Sequence, residues 1–124
     1  MRLISIIFSF KNEEKNLKEL VKRVNSSLSV LKNWKYEMIF VNDSSEDNSE
    51  EILLDLQKTN PIMIINMTRT FGVGPCVLAG LELAKGDAHP KLFSLFGKKT
   101  HNIKNIPCYL AYTTKKTHQI IKKN

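Results

Sequence analysis

Side chains that could bind a nucleotide follow three separate apolar runs of the sequence. A carboxylate can accept a hydrogen bond from the ring N–H of a base or from a ribose hydroxyl, and an arginine beside exposed glycine amides suits a diphosphate. These residue types therefore predict a nucleotide pocket, provided that the fold brings them together. They are Lys11, Asn12 and Glu13 after the first run, Asn42, Asp43 and Asp47 after the second, and Arg69 with the turn 72–74 after the third.

The same residues have a purely structural interpretation. Asp43, Ser45 and Asp47 are typical turn and N-cap residues for a following helix. Glu13 suits the first turn of a helix, and Arg69 suits a solvated loop. Residue type alone leaves both interpretations open.

Three β-α units are predicted to position these loops. Runs of β-branched and aromatic residues predict strands at Ile4–Phe8, Tyr36–Val41 and Ile62–Met67. Apolar residues at helical spacing follow each strand, so the order predicts an α/β fold with a parallel, Rossmann-like sheet and the loops at one edge. The predicted inner faces comprise Leu17, Leu20, Val21, Val24, Leu28 and Leu31, then Ile52, Leu53 and Leu56, then Val77, Leu78 and Leu81.

The helix ends are also predicted from residue types. Asn12 is the expected N-cap of a first helix of about 18 residues. Pro75 is expected at the first position of the third helix and Gly86 at its C-terminal cap. Cys76, just inside that helix, is expected to be a small core residue.

Charge divides the chain near residue 87. Of the 19 basic and 12 acidic side chains, residues 1–87 carry 11 basic and all the acidic ones, whereas residues 88–124 carry 8 lysines and no acid. Without regular aromatic spacing, the lysines favour an irregular, solvated tail over a nucleic-acid or lipid surface, so no nucleic acid is expected as partner. Leu92–Phe96 is the only candidate for a fourth strand, and 97–124 is expected to be weakly ordered.

Cysteine usage and apolar run lengths indicate a cytoplasmic protein. Cys76 and Cys108 form no CxxC pair, which fits a reducing compartment. The apolar run Leu3–Phe8 is short for a signal peptide, and no run approaches the ~20 residues of a membrane span.

Three ordered segments resemble the nucleotide-binding half of a family 2 glycosyltransferase, which has the GT-A fold. Ile4–Glu14 resembles the opening strand and Asn-Glu-Glu turn of that family, and Val41–Asp47 resembles its Val-Asp-Asp-Gly-Ser-x-Asp loop. Arg69–Gly72 with Ala79–Asp87 resembles the Arg-Asn-Phe-Gly…Ala-Gly…Gly-Asp stretch. This last stretch is most similar to the branch that transfers a sugar to a polyprenyl phosphate, as dolichyl-phosphate mannose synthases do.

The resemblance implies a nucleotide-sugar donor and a polyprenyl-phosphate or glycan acceptor. A polyprenyl-phosphate acceptor would place the protein at the inner face of a membrane. It implies that Asp43 contacts the base and that Asn12 and Glu13 line the nucleoside site. It also implies that Asp47 supports its loop, while Arg69 lies near the diphosphate by its position. The region of resemblance is 1–87, and 88–124 does not match.

Departures from the family pattern bear on activity. Ser9, Lys11, Ser44 and Val73 replace residues usual in the family, which could alter donor preference. The family's Asp-x-Asp motif, which holds Mg²⁺ or Mn²⁺, has no counterpart because no acid follows Asp87. A divalent cation normally neutralises the leaving diphosphate, so little or no transferase activity is expected from the chain alone.

A truncated or frame-shifted relative is therefore the expectation, and three functional classes stay open. The first is a family 2 glycosyltransferase by descent that needs a second chain to supply the metal site. The second is a non-catalytic nucleotide-binding remnant, and the third is a surface-binding protein acting through its basic tail. Loss of the family's fourth strand would also leave Ile4–Phe8 at an exposed sheet edge unless Leu92–Phe96 covers it.

Overall fold

The computed structural model describes residues 2–84 and, as backbone, residues 109–113. The predictions for Gly86, Leu92–Phe96 and most of the lysine-rich region lie outside the described residues. Within the described part, three β-α units occur in the predicted order. The elements are β1 (Arg2–Phe10), α1 (Leu17–Leu28), β2 (Trp34–Asn42), α2 (Ser49–Gln57), β3 (Ile62–Asn66), α3 (Val73–Leu83) and β4 (Tyr109–Thr113).

The sheet has the order β3-β2-β1-β4. β1 pairs with β2 in parallel, Ile6 opposite Met38, and β2 pairs with β3 in parallel, Phe40 opposite Ile64. The α/β class and the parallel sheet are thereby confirmed, and β1 lies inside the sheet between β2 and β4.

β4 corrects the expectation of an irregular tail at 109–113 alone, and the rest of 97–124 lies outside the described residues. Tyr109–Thr113 pairs antiparallel with the other edge of β1, with Ile7 opposite Ala111. The strand was missed because this part of the sequence has no clear period. The sequence offers Leu92–Phe96 as the only candidate for a strand beside β1, and the structure places β4 there.

Alternating side chains of β1 and β2 build a core on each face of the sheet. On one face, β1 and β2 pack against α1 and α2, and the Phe8 and Phe40 rings stack with centroids 4.9 Å apart. On the other face, Ile7, Ile39 and Val41 pack against α3. Because both faces are apolar, the strands read as unbroken apolar runs in the sequence.

Several predicted helix details are wrong at the ends. α1 begins at Leu17 after Asn16, one turn later than the expected cap Asn12, because the intervening N–H groups bind another loop. α3 begins at Val73, so Pro75 is its third residue, where a missing N–H still costs no intrahelical bond. Leu78, expected to face inward, is 46% exposed.

The described part of the chain contains no helix with the length and apolar composition needed to cross a bilayer.

Candidate functional site

The loops at the carboxyl ends of the three parallel strands form one continuous rim. The rim comprises residues 11–16 after β1, 43–48 after β2 and 67–72 after β3. The Asp43 N–H donates to the carbonyl of Phe10 at 2.9 Å, and the Met67 N–H donates to the carbonyl of Asn42 at 2.9 Å. The sheet ladder thus continues into the loops and brings the predicted site residues to one side of the molecule.

Side chains of the second loop bind the backbone of the first loop. Three consecutive N–H groups, at residues 12, 13 and 14, each donate to a side-chain oxygen of residues 45–49. The acceptors are Ser45 Oγ at 2.9 Å, Ser49 Oγ at 3.1 Å and Asp47 Oδ2 at 3.2 Å, respectively. These donors are therefore engaged within the protein and do not point at a ligand.

The same two loops are also joined in the opposite direction. The Glu46 N–H donates to Asn12 Oδ1 at 2.8 Å, and the Asn48 N–H donates to Glu14 Oε2 at 3.0 Å. Asn12 has a left-handed φ of 55°, a conformation that Asn adopts more readily than most residues. We call these reciprocal hydrogen bonds between residues 12–14 and 45–49 the clasp.

Asp47 is central to the clasp. Besides the Glu14 N–H, its carboxylate accepts the Ser49 N–H at 2.9 Å at the start of α2. Burial raises the pKa of Asp47, but hydrogen bonds from Ser49 and from the Glu14 N–H hold it below its ordinary value of 3.8. The geometry fits a loop-supporting carboxylate.

Glu13 is nearly inaccessible. The residue is 6% exposed, and its Oε2 accepts from Asn16 Nδ2 at 2.8 Å. Its backbone carbonyl accepts the N–H groups of Asn16 and Leu17 at the start of α1. A nucleoside-lining role for Glu13 stays a prediction.

Asp43 joins the second loop to the third. Its Oδ1 accepts the Phe71 N–H at 2.8 Å and its Oδ2 accepts the Gly72 N–H at 3.0 Å. The residue is 6% exposed. Burial raises the pKa of Asp43, but these N–H groups, the Cys76 thiol and the charge of Lys11 hold it below its ordinary value of 3.8. Asp43 is therefore an ionised, fixed acceptor near neutral pH.

Two rim residues have unusual backbone conformations. Gly72 has a φ of 94° and a ψ of 172°, a combination that is essentially restricted to glycine. Ser44 has a φ of 61°, where a side chain costs about 1–2 kcal/mol.

Cys76 lies beneath Asp43 and is fully buried, as predicted. Burial and the neighbouring Asp43 carboxylate raise the pKa of Cys76 to about 11, against a smaller lowering contribution from Ser9. The thiol thus remains protonated and can donate toward Asp43.

Three exposed cations lie at the rim, Lys11, Lys15 and Arg69, and two of them have a defined side-chain contact. Lys11 Nζ donates to Thr70 Oγ1 at 2.8 Å, and the Arg69 guanidinium lies over the Phe71 ring, 4.5 Å from its centroid. The Gly72 amide, expected to be exposed toward a diphosphate, binds Asp43 instead. Positive charge at the rim therefore comes from side chains.

The divalent cation implied by the resemblance does not fit the described residues. Among them no group of three or more His, Cys, Asp and Glu side chains could hold a metal ion. The carboxylates of Asp43 and Asp47 each accept two backbone N–H groups.

The sequence predicts that the rim residues lie close together, which the structure shows, but it does not predict their hydrogen-bond partners. Ser49, buried in the clasp, was not singled out, and Cys76 was assigned only to the core. Lys11 was predicted to lie at the site, but its hydrogen bond to Thr70 was not predicted. Hydrogen bonds over more than 30 residues of sequence leave no local pattern to detect.

The comparisons with known proteins decide the family. The Glycosyl transferase family 2 profile matches residues 5–93. The chain belongs to glycosyl transferase family 2. A solved structure of Staphylococcus aureus TarS aligns with a TM-score of 0.60 and 23% identity over 70% of this chain and 25% of that one, which supports the GT-A fold.

Among the curated family 2 relatives is the prophage bactoprenol glucosyl transferase homolog of Escherichia coli K12, 36% identical over 86 residues, or 68% of this chain and 28% of that protein. An undecaprenyl-phosphate 4-deoxy-4-formamido-L-arabinose transferase of Pseudomonas savastanoi is 32% identical over 89 residues, or 70% and 26%. The chain thus aligns with about a quarter of the length of these polyprenyl-phosphate sugar transferases.

Proposed function

We propose that the rim binds the nucleotide part of a nucleotide-sugar, and that this chain is the donor-binding part of a sugar transferase that uses a polyprenyl-phosphate acceptor. The observation that carries the proposal is the rim itself. In a chain of glycosyl transferase family 2, polar loops after three parallel strands meet at the edge where α/β sheets bind ligands.

In this proposal Asp43 accepts a hydrogen bond from the base. Each carboxylate oxygen has two acceptor positions, and the Phe71 and Gly72 N–H groups use one on each. The remaining positions can receive a ring N–H. Asn12, exposed at the end of the clasp, borders the nucleoside, and Asp47 keeps the loop in place.

Lys11 and Arg69 supply the positive charge for the diphosphate. Both are exposed on the rim, and the Phe71 ring holds the Arg69 guanidinium in position. A guanidinium can bind phosphate oxygens in a bidentate manner, whereas an ammonium acts as a point charge. Binding through these two side chains makes affinity sensitive to salt.

The acceptor and the location follow from the relatives. Their names specify bactoprenol and undecaprenyl phosphate, which are membrane lipids. We accordingly place the chain at the cytoplasmic face of a membrane, in peripheral contact with it.

We further propose that the chain alone binds the donor but transfers sugar at no more than a background rate. Residues 88–124 contain no Asp or Glu, so they cannot supply an Asp-x-Asp pair for a metal. Loss of electrostatic stabilisation of this kind typically costs orders of magnitude in rate. The non-catalytic nucleotide-binding remnant, which the sequence also allows, differs only in that its nucleotide binding is weak and needs no metal ion.

Nucleotide titration tests the donor site. UDP, GDP, CDP and ADP are each titrated into the ¹⁵N-labelled chain, with and without Mg²⁺, and amide shifts are followed. At least one nucleotide should shift resonances of the rim, and Asp43→Asn should weaken binding about tenfold or more, since a charged acceptor is lost. Asp55→Asn, an exposed acid of α2, is the matched control and should bind normally.

No rim shift with any of the four nucleotides would refute donor binding. Equal weakening by Asp43→Asn and Asp55→Asn would refute the role of Asp43. Sugar transfer is measured separately with polyprenyl phosphate and Mg²⁺, and efficient turnover by this chain would refute the proposed inactivity.

A further inference from the structure

We propose that Gly72 is a positioning residue for the donor site: its backbone conformation turns two N–H groups onto the Asp43 carboxylate and fixes the direction in which that carboxylate meets a ligand. The ligand part rests on the proposed function. The positioning of Asp43 does not, because it concerns the unliganded protein.

The backbone of Gly72 requires glycine for conformational reasons alone. Its φ of 94° and ψ of 172° lie in a region that L-residues essentially never occupy. A Cβ added at this position would meet no heavy atom within 4 Å. Space for a side chain is therefore available, and only the backbone conformation excludes one.

This conformation places consecutive N–H groups on one carboxylate. The Phe71 N–H binds Oδ1 and the Gly72 N–H binds Oδ2, at 2.8 Å and 3.0 Å. Gly72 is also the N-cap of α3, so the carboxylate lies at the positive end of that helix. Both donors precede the N–Cα bond of Gly72, and α3 follows it. Because α3 is held by its packing against the sheet, a relaxed, negative φ at position 72 would rotate the Phe71–Gly72 peptide relative to the helix and separate at least one donor from Asp43.

Few other charged or titratable groups act on Asp43. Lys11 contributes its positive charge from the first loop, and the Cys76 thiol contributes from α3. Lys11 lies on another loop, whereas the Cys76 N–H donates to the Gly72 carbonyl at 3.3 Å. A change in the titration of Asp43 in Gly72→Ala therefore reports on the two N–H donors together with the thiol at the start of α3.

Gly74 provides a matched control. It is the second residue of α3 and, like Gly72, has no heavy atom within 4 Å of an added Cβ. Unlike Gly72, it does not have a positive φ. Gly72→Ala and Gly74→Ala therefore add the same methyl group two residues apart, and only Gly72→Ala disfavours the backbone conformation that the structure shows.

The test measures the Asp43 carboxyl by ¹³C NMR against pH in the full chain without nucleotide. In Gly72→Ala, the pKa of Asp43 should rise measurably, because hydrogen bonds to the ionised form are lost. In Gly74→Ala, it should stay at the parent value. A chain carrying D-alanine at position 72, made by chemical ligation, should also keep the parent value, since a D-residue favours positive φ.

The D-alanine chain separates conformation from folding defects. An unchanged Asp43 pKa in folded Gly72→Ala, or a failure of D-alanine to restore the parent value, would overturn the positioning role. Nucleotide affinity is then measured on the same proteins, with about a tenfold loss expected for Gly72→Ala alone. A raised pKa with no nucleotide binding by any variant would refute the proposed function and leave the positioning role intact.

Discussion

Gly80 lies where α3 crosses β1, and a single methyl group there should destabilise the protein. A Cβ at Gly80 would lie 2.5 Å from Cγ2 of Ile7 and 3.2 Å from its Cγ1. Ile7 is fully buried and β-branched, so its side chain cannot easily rotate away. Either Ile7 leaves its rotamer or α3 moves away from the sheet.

The two contributions to the stability of Gly80→Ala have opposite signs. Overpacking a core costs about 1–3 kcal/mol, whereas replacing a helical glycine by alanine gains up to about 1 kcal/mol. We expect a net loss of about 1–2 kcal/mol, which lowers Tm by about 4–10 °C for a domain of this size. Urea and thermal denaturation followed by circular dichroism measure both quantities.

A double-mutant cycle identifies the contact. Ile7→Leu removes the Cγ2 branch with little change in volume and should cost less than about 1.5 kcal/mol by itself. In the Gly80→Ala background it should cost less still, giving a coupling of about 1 kcal/mol. Gly74→Ala, a helical glycine with open space around it, should not lose stability and should gain up to about 1 kcal/mol. Full additivity of the two substitutions, or a Gly80→Ala protein as stable as the parent, would refute the reasoning.

Three further predictions concern the rim. The pKa values of Asp43 and Asp47 are lowered in the folded protein, so these carboxylates stabilise it above pH 3.8, and the stabilisation is lost as pH falls through the folded pKa values. The double variant Asp43→Asn, Asp47→Asn should therefore be less stable at pH 7, and its free energy of unfolding should depend less steeply on pH in acid. Ser44→Gly should raise the free energy of unfolding by about 0.5–1 kcal/mol in urea denaturation, since the φ of 61° costs a serine more than a glycine. In a Cys108→Ser background, Cys76 should react with iodoacetamide at pH 8 at least about a hundredfold more slowly in the native protein than in urea, because it is buried and its pKa is about 11.

Each has an outcome that would contradict it. Parallel acid denaturation curves for the parent and the double Asn variant would show that neither carboxylate carries a lowered pKa. A less stable Ser44→Gly protein would mean that the serine side chain contributes more than its backbone conformation costs. Rapid native alkylation of Cys76 would show that the space beneath Asp43 opens to solvent.

The parallel part of the fold could be predicted because its signals are local. Ile4–Phe8, Tyr36–Val41 and Ile62–Met67 are apolar runs long enough for buried strands, and each lies within or nearly coincides with an observed strand. The inner faces of α1 and α2 also follow from helical spacing. The β4 strand could not be found in this way, since its place depends on the edge that β1 offers.

The location of the rim could be predicted, but its internal bonding could not. Parallel strands bring the carboxyl ends of β1, β2 and β3 together, so Asn12, Asp43 and Arg69 are expected at the same end of the sheet. Residue type alone leaves open whether Asp43 caps a turn or accepts a hydrogen bond from a nucleotide base. The structure places two backbone N–H groups on its carboxylate, which depends on the backbone of Gly72 and on no local pattern.

The antiparallel pairing of β4 with β1 affects any attempt to isolate the part of the chain that matches the family. The match ends at residue 93, and Tyr109–Thr113 lies beyond it. A fragment shortened to that match would leave one side of β1 without backbone partners, between two apolar faces, and strands of this kind recruit one another from separate molecules. We therefore expect such a fragment to self-associate more readily than the full chain.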